Sequence, residues 1–289
     1  MNGILLIDKP KGLTSHDVVY RARRVLGQKK IGHAGTLDPM ATGVLVLLVG
    51  KATRLSDYLL NKDKRYRAGI LLGCETDTYD LEGKVLRECS PQVSKQQLLE
   101  VLGRFEGEIE QIPPMYSALK QNGQKLYELA RKGMEVERKG RKVCIQSLSL
   151  LSFEGAKAVV EVCCSKGTYI RSFAHDVGEV LGCGACLFSL RRTASGRFTE
   201  DMAVSLEQLE SGDVSLLPTH SVFPFPSVRV TGEAERKLKN GTATPLEKEH
   251  LSGSIKVFSS GGGFLCVARA EPRPYGCYVQ PETMFLEEE

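Results

Sequence analysis

The segment Gly32-His33-Ala34-Gly35-Thr36-Leu37-Asp38-Pro39-Met40-Ala41-Thr42-Gly43 sets a single carboxylate inside a glycine-rich stretch. Its look suggests a phosphate loop, but that loop needs two glycines separated by four residues and followed by lysine and a hydroxyl side chain. Here six residues separate Gly43 from Gly50, and Lys51-Ala52 follows. Asp38 remains. Pro39 pushes the residue before it out of helical dihedrals, so the carboxylate is presented from a stiffened turn and not from a helix face. It can serve at a reacting centre, or it can bond its own backbone in an Asx turn. The cysteines offer less. Cys183 and Cys186 form one Cys-x-x-Cys, but the adjacent pair Cys163-Cys164 is a poor second zinc knuckle and no His-x-x-x-His completes a site. No metal is expected.

The elements that must position Asp38 follow from local pattern. Ile4 to Ile7 reads as a buried strand ended by the basic turn Lys9-Pro10-Lys11-Gly12. Ser15 offers an N-cap to a helix with Val18, Val19, Ala22, Val25 and Leu26 on one face and Arg21, Arg23 and Arg24 on the rest. The glycine-rich segment then leads into an aliphatic strand, Val44 to Val49, and a loop feeding a buried strand is a favourable place for a site. Strand patterns recur at 65–72, 105–112, 143–153 and 157–164, and helical ones at 94–103, 124–132 and 168–181. Without a regular strand–helix beat, the class is α+β with a largely antiparallel sheet. Residues 211–227, ending Phe223-Pro224-Phe225-Pro226, read as a linker to a small β-rich unit at 228–289. That unit holds a helix from Glu233 to Lys239 and strands around 255–258 and 264–268.

The 289 residues are 42% hydrophobic and 26% charged, ordinary values for a chain that buries a core. The net charge of +4 is unevenly spread, with 13 Lys+Arg against 5 Asp+Glu in residues 1–67. An anionic partner such as nucleic acid suits that end, as does a solvated basic face. No apolar run is long enough to span a membrane, and the opening aliphatics are too few for a signal segment. Nine cysteines, an odd number in a chain that needs no staples, fit a reducing, cytoplasmic compartment.

The glycine-rich segment resembles the catalytic motif of the TruB-type tRNA pseudouridine-55 synthases, and it does not stand alone. Gly3-Ile4-Leu5-Leu6-Ile7-Asp8-Lys9-Pro10 resembles the family's N-terminal motif, and Lys64-Arg65-Tyr66 with Gly73 and Thr76-Asp77-Thr78 its tyrosine motif. Pro113 to Lys120, through Leu126 to Arg131, is similar to its RNA-contacting insertion. Cys164-Ser165-Lys166-Gly167-Thr168-Tyr169-Ile170-Arg171-Ser172 resembles its arginine motif, and Leu190-Arg191-Arg192-Thr193 completes a set that runs in family order.

The resemblance implies a pseudouridine synthase fold: a catalytic domain over residues 1–210 with an insertion at about 113–142, then the linker, then a PUA-like RNA-binding unit at 228–289. It implies a reaction without cofactor, in which the C1′–N1 bond of a uridine breaks, the uracil turns and C1′ rejoins to C5. Asp38 is then the nucleophile, Arg171 the cation that keeps it ionised, and Tyr66 the ring stacked on the uracil, its phenol available to a proton. His33, Tyr169 and Leu190 carry over as contacts of the flipped-out nucleotide, and Lys9, Pro10 and Lys64 as further substrate contacts. The basic pairs Arg131-Lys132, Arg138-Lys139 and Arg141-Lys142 could grip phosphates. The expected partner is the T stem-loop of tRNA, met by a monomer without an obligate protein partner or membrane. A noncatalytic tRNA-binding or RNA-folding protein on the same scaffold, or a synthase serving another RNA, are the alternatives.

Overall fold

In the computed structural model, residues 1–289 are described except 118, 122, 131, 248, 249, 288 and 289. The chain opens with β1 (Gly3–Lys9), α1 (Ser15–Val25), β2 (Ile31–His33) and β3 (Thr42–Val49), then a 3-10 turn and α2 (Ser56–Leu60). Next come β4 (Lys64–Leu72), the hairpin β5 (Cys74–Thr76) and β6 (Val85–Glu88), α3 (Lys95–Gly103) and β7 (Gly107–Gln111). The insertion holds β8 (Lys120–Gln121), β9 (Gln124–Lys125) and α4 (Leu126–Ala130). The long strands β10 (Arg141–Glu154) and β11 (Lys157–Cys164) lead through α5 (Ile170–Val180) to β12 (Ala185–Ser195), β13 (Phe198–Thr199) and α6 (Leu206–Ser211). The last part is β14 (Ser227–Arg229), α7 (Gly232–Lys239), β15 (Thr244–Glu247), β16 (Gly253–Phe258), β17 (Phe264–Arg273) and β18 (Gly276–Met284).

The main sheet runs β1-β3-β12-β4-β11-β10-β7, with β2 on β3 and β13 on β12. Only the β3–β12 pairing within it is parallel, so the α+β, largely antiparallel reading holds. Inside it, between β3 and β4, lies β12, which local pattern did not mark as a strand, because two bulges and the charged Arg191-Arg192 interrupt its alternation. Three other expectations shift. Thr14, not Ser15, caps α1, in a reciprocal box with Asp17, which releases the Ser15 hydroxyl for another task. The helix expected at 124–132 is a two-residue strand followed by α4, with residue 131 outside the described set. The hairpin β5–β6 was not expected at all.

Strand β3 is buried on both faces. Leu45, Leu47 and Val49 join the core under α1 and α5, whereas Val44, Val46 and Leu48 join a second core on the other side. That second core is completed from the C-terminal sheet, order β14-β16-β17-β18-β15, by Phe264, Val267 and Phe285. Between the two sheets, the segment 211–227 is itself packed: Leu217 bridges Ile4, Thr219 is fully buried, and Val222 and Phe223 sit in the second core. Phe264 and Phe285 stack at 4.9 Å, and Tyr58 meets Phe223 at the same separation.

Cutting the chain after residue 227 removes Phe264 and Phe285 from the core shared with Ile4, Leu6, Val46 and Leu48, and each of the two costs ~3–5 kcal/mol to lose. The expected result is a thermal transition lowered by on the order of 10 °C or aggregation during the melt. An unchanged melting temperature would show that the two sheets are thermodynamically separate.

Candidate active site

Asp38 owes its position to capture of the backbone around it. The carbonyl oxygens of Gly35 and Thr36 accept from Arg192 Nη2 and Nη1 at 3.0 and 3.4 Å. Leu37 is held through both its groups by the Ser15 hydroxyl, which accepts from its N–H at 2.8 Å and donates to its oxygen at 3.1 Å. The Asp38 oxygen accepts from Ala41 N–H at 3.0 Å, closing the turn that Pro39 stiffens. The Pro39 oxygen accepts from Gly12 N–H at 2.8 Å and from the Lys9 ammonium at 3.3 Å. The carboxylate is thereby left free of the backbone of its own turn, and its partner lies elsewhere.

That partner is Arg171, whose Nε donates to Asp38 Oδ2 at 2.9 Å. The arginine is only 4% exposed, not a surface first-turn residue. Its other nitrogens are anchored as well, Nη1 on the Thr78 oxygen at 3.1 Å and Nη2 on the Tyr116 oxygen at 2.7 Å, with Asp80 Oδ2 3.7 Å from Nε. The β5–β6 hairpin delivers two of these groups. Tyr79 at its turn has φ 64°, a conformation costly for a non-glycine residue, held by its carbonyl bond to Leu187 N–H and its ring against His175. The start of α5 is fixed from β7. Tyr169, its N-cap, has no side-chain cap of its own, and buried Gln111 accepts from its N–H at 2.7 Å and donates to its oxygen at 3.0 Å.

Tyr66 sits on β4 directly across from Arg192 on β12, and Leu190 across from Ala68, so the tyrosine and the leucine share the face above the loop. Both are buried. Burial pushes the Tyr66 phenol up, while the Arg192 guanidinium beside it pulls the other way. The phenol is therefore neutral near pH 7. Burial, reinforced by Arg192 and His16, lowers His33 and keeps it neutral too. The Tyr169 ring is half-buried beneath the Arg141 guanidinium, 4.5 Å from its centroid. Asp38, Arg171, Tyr66, Leu190, His33 and Tyr169 thus lie on elements that converge on one place.

Lys9 and Lys64, expected among the substrate contacts, are placed differently. Both are buried; the Lys9 ammonium bonds the oxygens of Pro10, Leu13 and Pro39, and that of Lys64 bonds those of Leu60 and Lys62. In this arrangement they hold loops and have no ammonium face turned to phosphate. Pro10 is exposed and lines a groove with Asp8, Arg191 and Glu207, whose acids suit no phosphate. Among the residues that sequence reasoning did not single out, Ser15, Arg192, Gln111 and Asp80 matter most. The Arg191-Arg192 pair was the one visible signal, since strand alternation must turn one of two neighbouring arginines inward.

The sequence carries the domain model described as TruB family pseudouridylate synthase (N terminal domain) over residues 23–170, and that of the tRNA pseudouridylate synthase B C-terminal domain over 171–216. The chain belongs to the TruB family. It is a member of a family of isomerases, and the resemblance of its motifs to that family holds. Among relatives, it is 48% identical over 273 residues to the tRNA pseudouridine synthase B of Azoarcus sp. (strain BH72), covering 92% of this chain and 90% of the relative. With the tRNA pseudouridine synthase B of Bordetella avium (strain 197N) identity reaches 53% over 214 residues, 73% of this chain and 88% of that one. Its fold is similar to that of a chain in the crystal structure of a Cbf5-Nop10-Gar1 complex, with a TM-score of 0.71 and 27% identity over 99% of this chain and 85% of the other. The TruB-family loop is thus set, in this chain, on the main sheet, whose β3 also packs against the separate C-terminal sheet.

Burial drops Lys9 from 10.5 to about 8, with Asp38 opposing the shift. The protonated form therefore costs the folded state below pH 8. Between about 8 and 10.5 the unfolded chain binds more protons, so this cost is relieved as pH rises. Urea titrations of wild type and Lys9→Met should show the stability gap in favour of wild type widening from pH 8 to 10.5. A gap that stays flat or narrows would contradict the buried, carbonyl-bound ammonium.

Proposed function

We propose that this chain converts the uridine at position 55, in the T loop of tRNA, to pseudouridine, with Asp38 as the nucleophile. The observation that carries the proposal is the Asp38–Arg171 pair, a single carboxylate held at 2.9 Å by a buried guanidinium, in a loop whose carbonyls from Gly35 to Pro39 are all engaged. The tRNA substrate is supported by the names of the relatives, and the position by the family motifs.

The chemistry follows from what the side chains can do. Asp38 supports departure of uracil from C1′, either by bonding to that carbon or by stabilising the charge that develops there. The N1–C1′ electron pair leaves with the uracil, the base turns, and C5 forms the new bond to C1′. The proton on C5 is lost and one is gained at N1, so the change is an isomerisation that consumes nothing. Arg171 needs only to keep the carboxylate oriented and anionic, because a guanidinium does not give up its proton. Tyr66, held neutral by burial, offers its ring face to the uracil and a hydroxyl that relays a proton, taking the one from C5 as it passes its own to N1. His33, Tyr169 and Leu190 contact the extruded nucleotide, whose removal from the RNA stack costs a few kcal/mol.

We assign residues 1–210 to catalysis, 211–227 to the connection, and 228–289 to a PUA-like surface that docks on the tRNA away from the T loop. We further propose that it acts as a monomer without an obligate protein partner, in the cytoplasm.

Asp38→Asn keeps shape and polarity but cannot attack or neutralise charge at C1′. It should abolish pseudouridine formation in T-arm hairpins and whole tRNA while leaving affinity within about threefold, a difference of ~0.7 kcal/mol. Residual turnover above a few per cent would defeat the assignment.

For Tyr66, Phe keeps the stacking and removes the hydroxyl, so single-turnover rates should fall by about 100-fold at unchanged affinity, within the range of acid–base contributions. Leu should in addition weaken binding by ~1–3 kcal/mol. A Phe variant with near-normal turnover leaves Tyr66 a stacking role alone.

A further inference from the structure

We infer that Arg192 is a positioning residue for the isomerisation, its guanidinium holding the Asp38 loop in register against the Tyr66 strand. The inference rests on Asp38 being the nucleophile. Arg192 is 1% exposed, and its three donor groups go to the Val44 oxygen at 2.7 Å and to the Gly35 and Thr36 oxygens. It therefore ties together the two ends of the loop, the exit into β3 and the approach to Asp38. Its backbone is equally placed. On one side it lies opposite Tyr66 and on the other opposite Gly43, the second residue of β3, where the loop has just ended. A Cβ at Gly43 would come within 2.2 Å of the Arg192 oxygen, and φ there is 96°, so only glycine permits this approach.

The choice of side chain is informative. Among the described residues no carboxylate lies within 4.0 Å of the Arg192 guanidinium, so its charge is balanced by carbonyl dipoles and not by an ion pair. A buried cation without an acid is an expensive way to hold strands together, and an aliphatic residue would pack there at less cost. What an aliphatic residue cannot do is fix three oxygens on two chain segments at set angles, which a planar fork of donors does. Lys9 secures the far side of the loop at Pro39 but reaches neither Gly35 nor β4. Arg192 spans from the loop to the strand that bears Tyr66.

The test compares Arg192→Lys and Arg192→Gln with wild type and with Asp38→Asn, using tRNA transcripts. Single-turnover rate at saturating RNA, RNA affinity by filter binding, and thermal melting are read for each. Lysine keeps the charge but lacks the planar fork that reaches Val44, Gly35 and Thr36 together, so its rate should fall 10- to 100-fold with affinity within threefold and a folded melt; glutamine should fall further. A wild-type rate for Arg192→Lys overturns the proposal. So does a rate loss that merely matches the unfolded fraction, or failure of both variants to fold, since either makes the residue structural alone. Turnover by Asp38→Asn would instead overturn the reading of Asp38, whatever the arginine variants do.

Discussion

Capture of successive carbonyl oxygens from Gly35 to Pro39 is the constraint on which the site depends. A glycine-rich loop has much conformational freedom to lose, ~1–2 kcal/mol for each residue ordered, and a nucleophile on such a loop would wander without compensation. Here the compensation comes from buried donors. Arg192, Ser15 and Lys9 approach from three different elements, and the turn closed at Ala41 supplies the remaining bond. Because the donors lie on β12, α1 and the end of β1, the loop is located relative to the sheet and to the first helix at once. Two of the three carry buried positive charge. Those charges flank a carboxylate, a setting in which a desolvated cation is less costly than it would be against an apolar core.

Arg171 obeys the same logic in reverse. Its Nη groups are fixed by the backbone oxygens of Thr78 and Tyr116, and Asp80 stands close to its Nε, so its place does not depend on Asp38. An anchored guanidinium presents one N–H in a set direction, and the half-exposed carboxylate is the partner free to move toward substrate. Tyr116 lies in the insertion, and the Ile112 oxygen just before it accepts from the Ser172 hydroxyl. The insertion and the helix that bears the arginine are therefore joined at their bases, which links the element expected to grip RNA to the residue that orients Asp38.

Much of this was legible in the sequence because motif residues and element patterns agree. Asp38 before proline, the aliphatic run of β3, the amphipathic α1 and the strands β4, β10 and β11 all follow from local chemistry. What was not legible depends on partners far along the chain. Ser15 looks like a helix cap, and only the box between Thr14 and Asp17 frees it for Leu37, 22 residues away. Lys9 and Lys64 look like phosphate ligands until burial shows their ammonium groups spent on carbonyls. Strand β12 escaped notice because bulges break its period of two, yet it is the strand that brings Arg192 between Tyr66 and the loop. Gln111 has no local signature at all, since its function is to complete a helix start 58 residues later.

The C-terminal sheet enters the argument through β3. A strand buried on both faces has no solvent side on which to relax, so its position is set jointly by the two cores that enclose it. One is the catalytic core, through Leu45 and Leu47; the other is shared with Phe264 and Phe285 of the C-terminal sheet, through Val44, Val46 and Leu48. Val44 also gives its oxygen to Arg192, and Gly43 beside it pairs with both Lys9 and Arg192. The residue that closes the Asp38 loop is thus packed by its side chain against the second unit and held by its backbone within the first. A C-terminal unit attached in this way is part of the support of the site: the aromatic side chains that seat it on β3 also keep the exit of the catalytic loop in place.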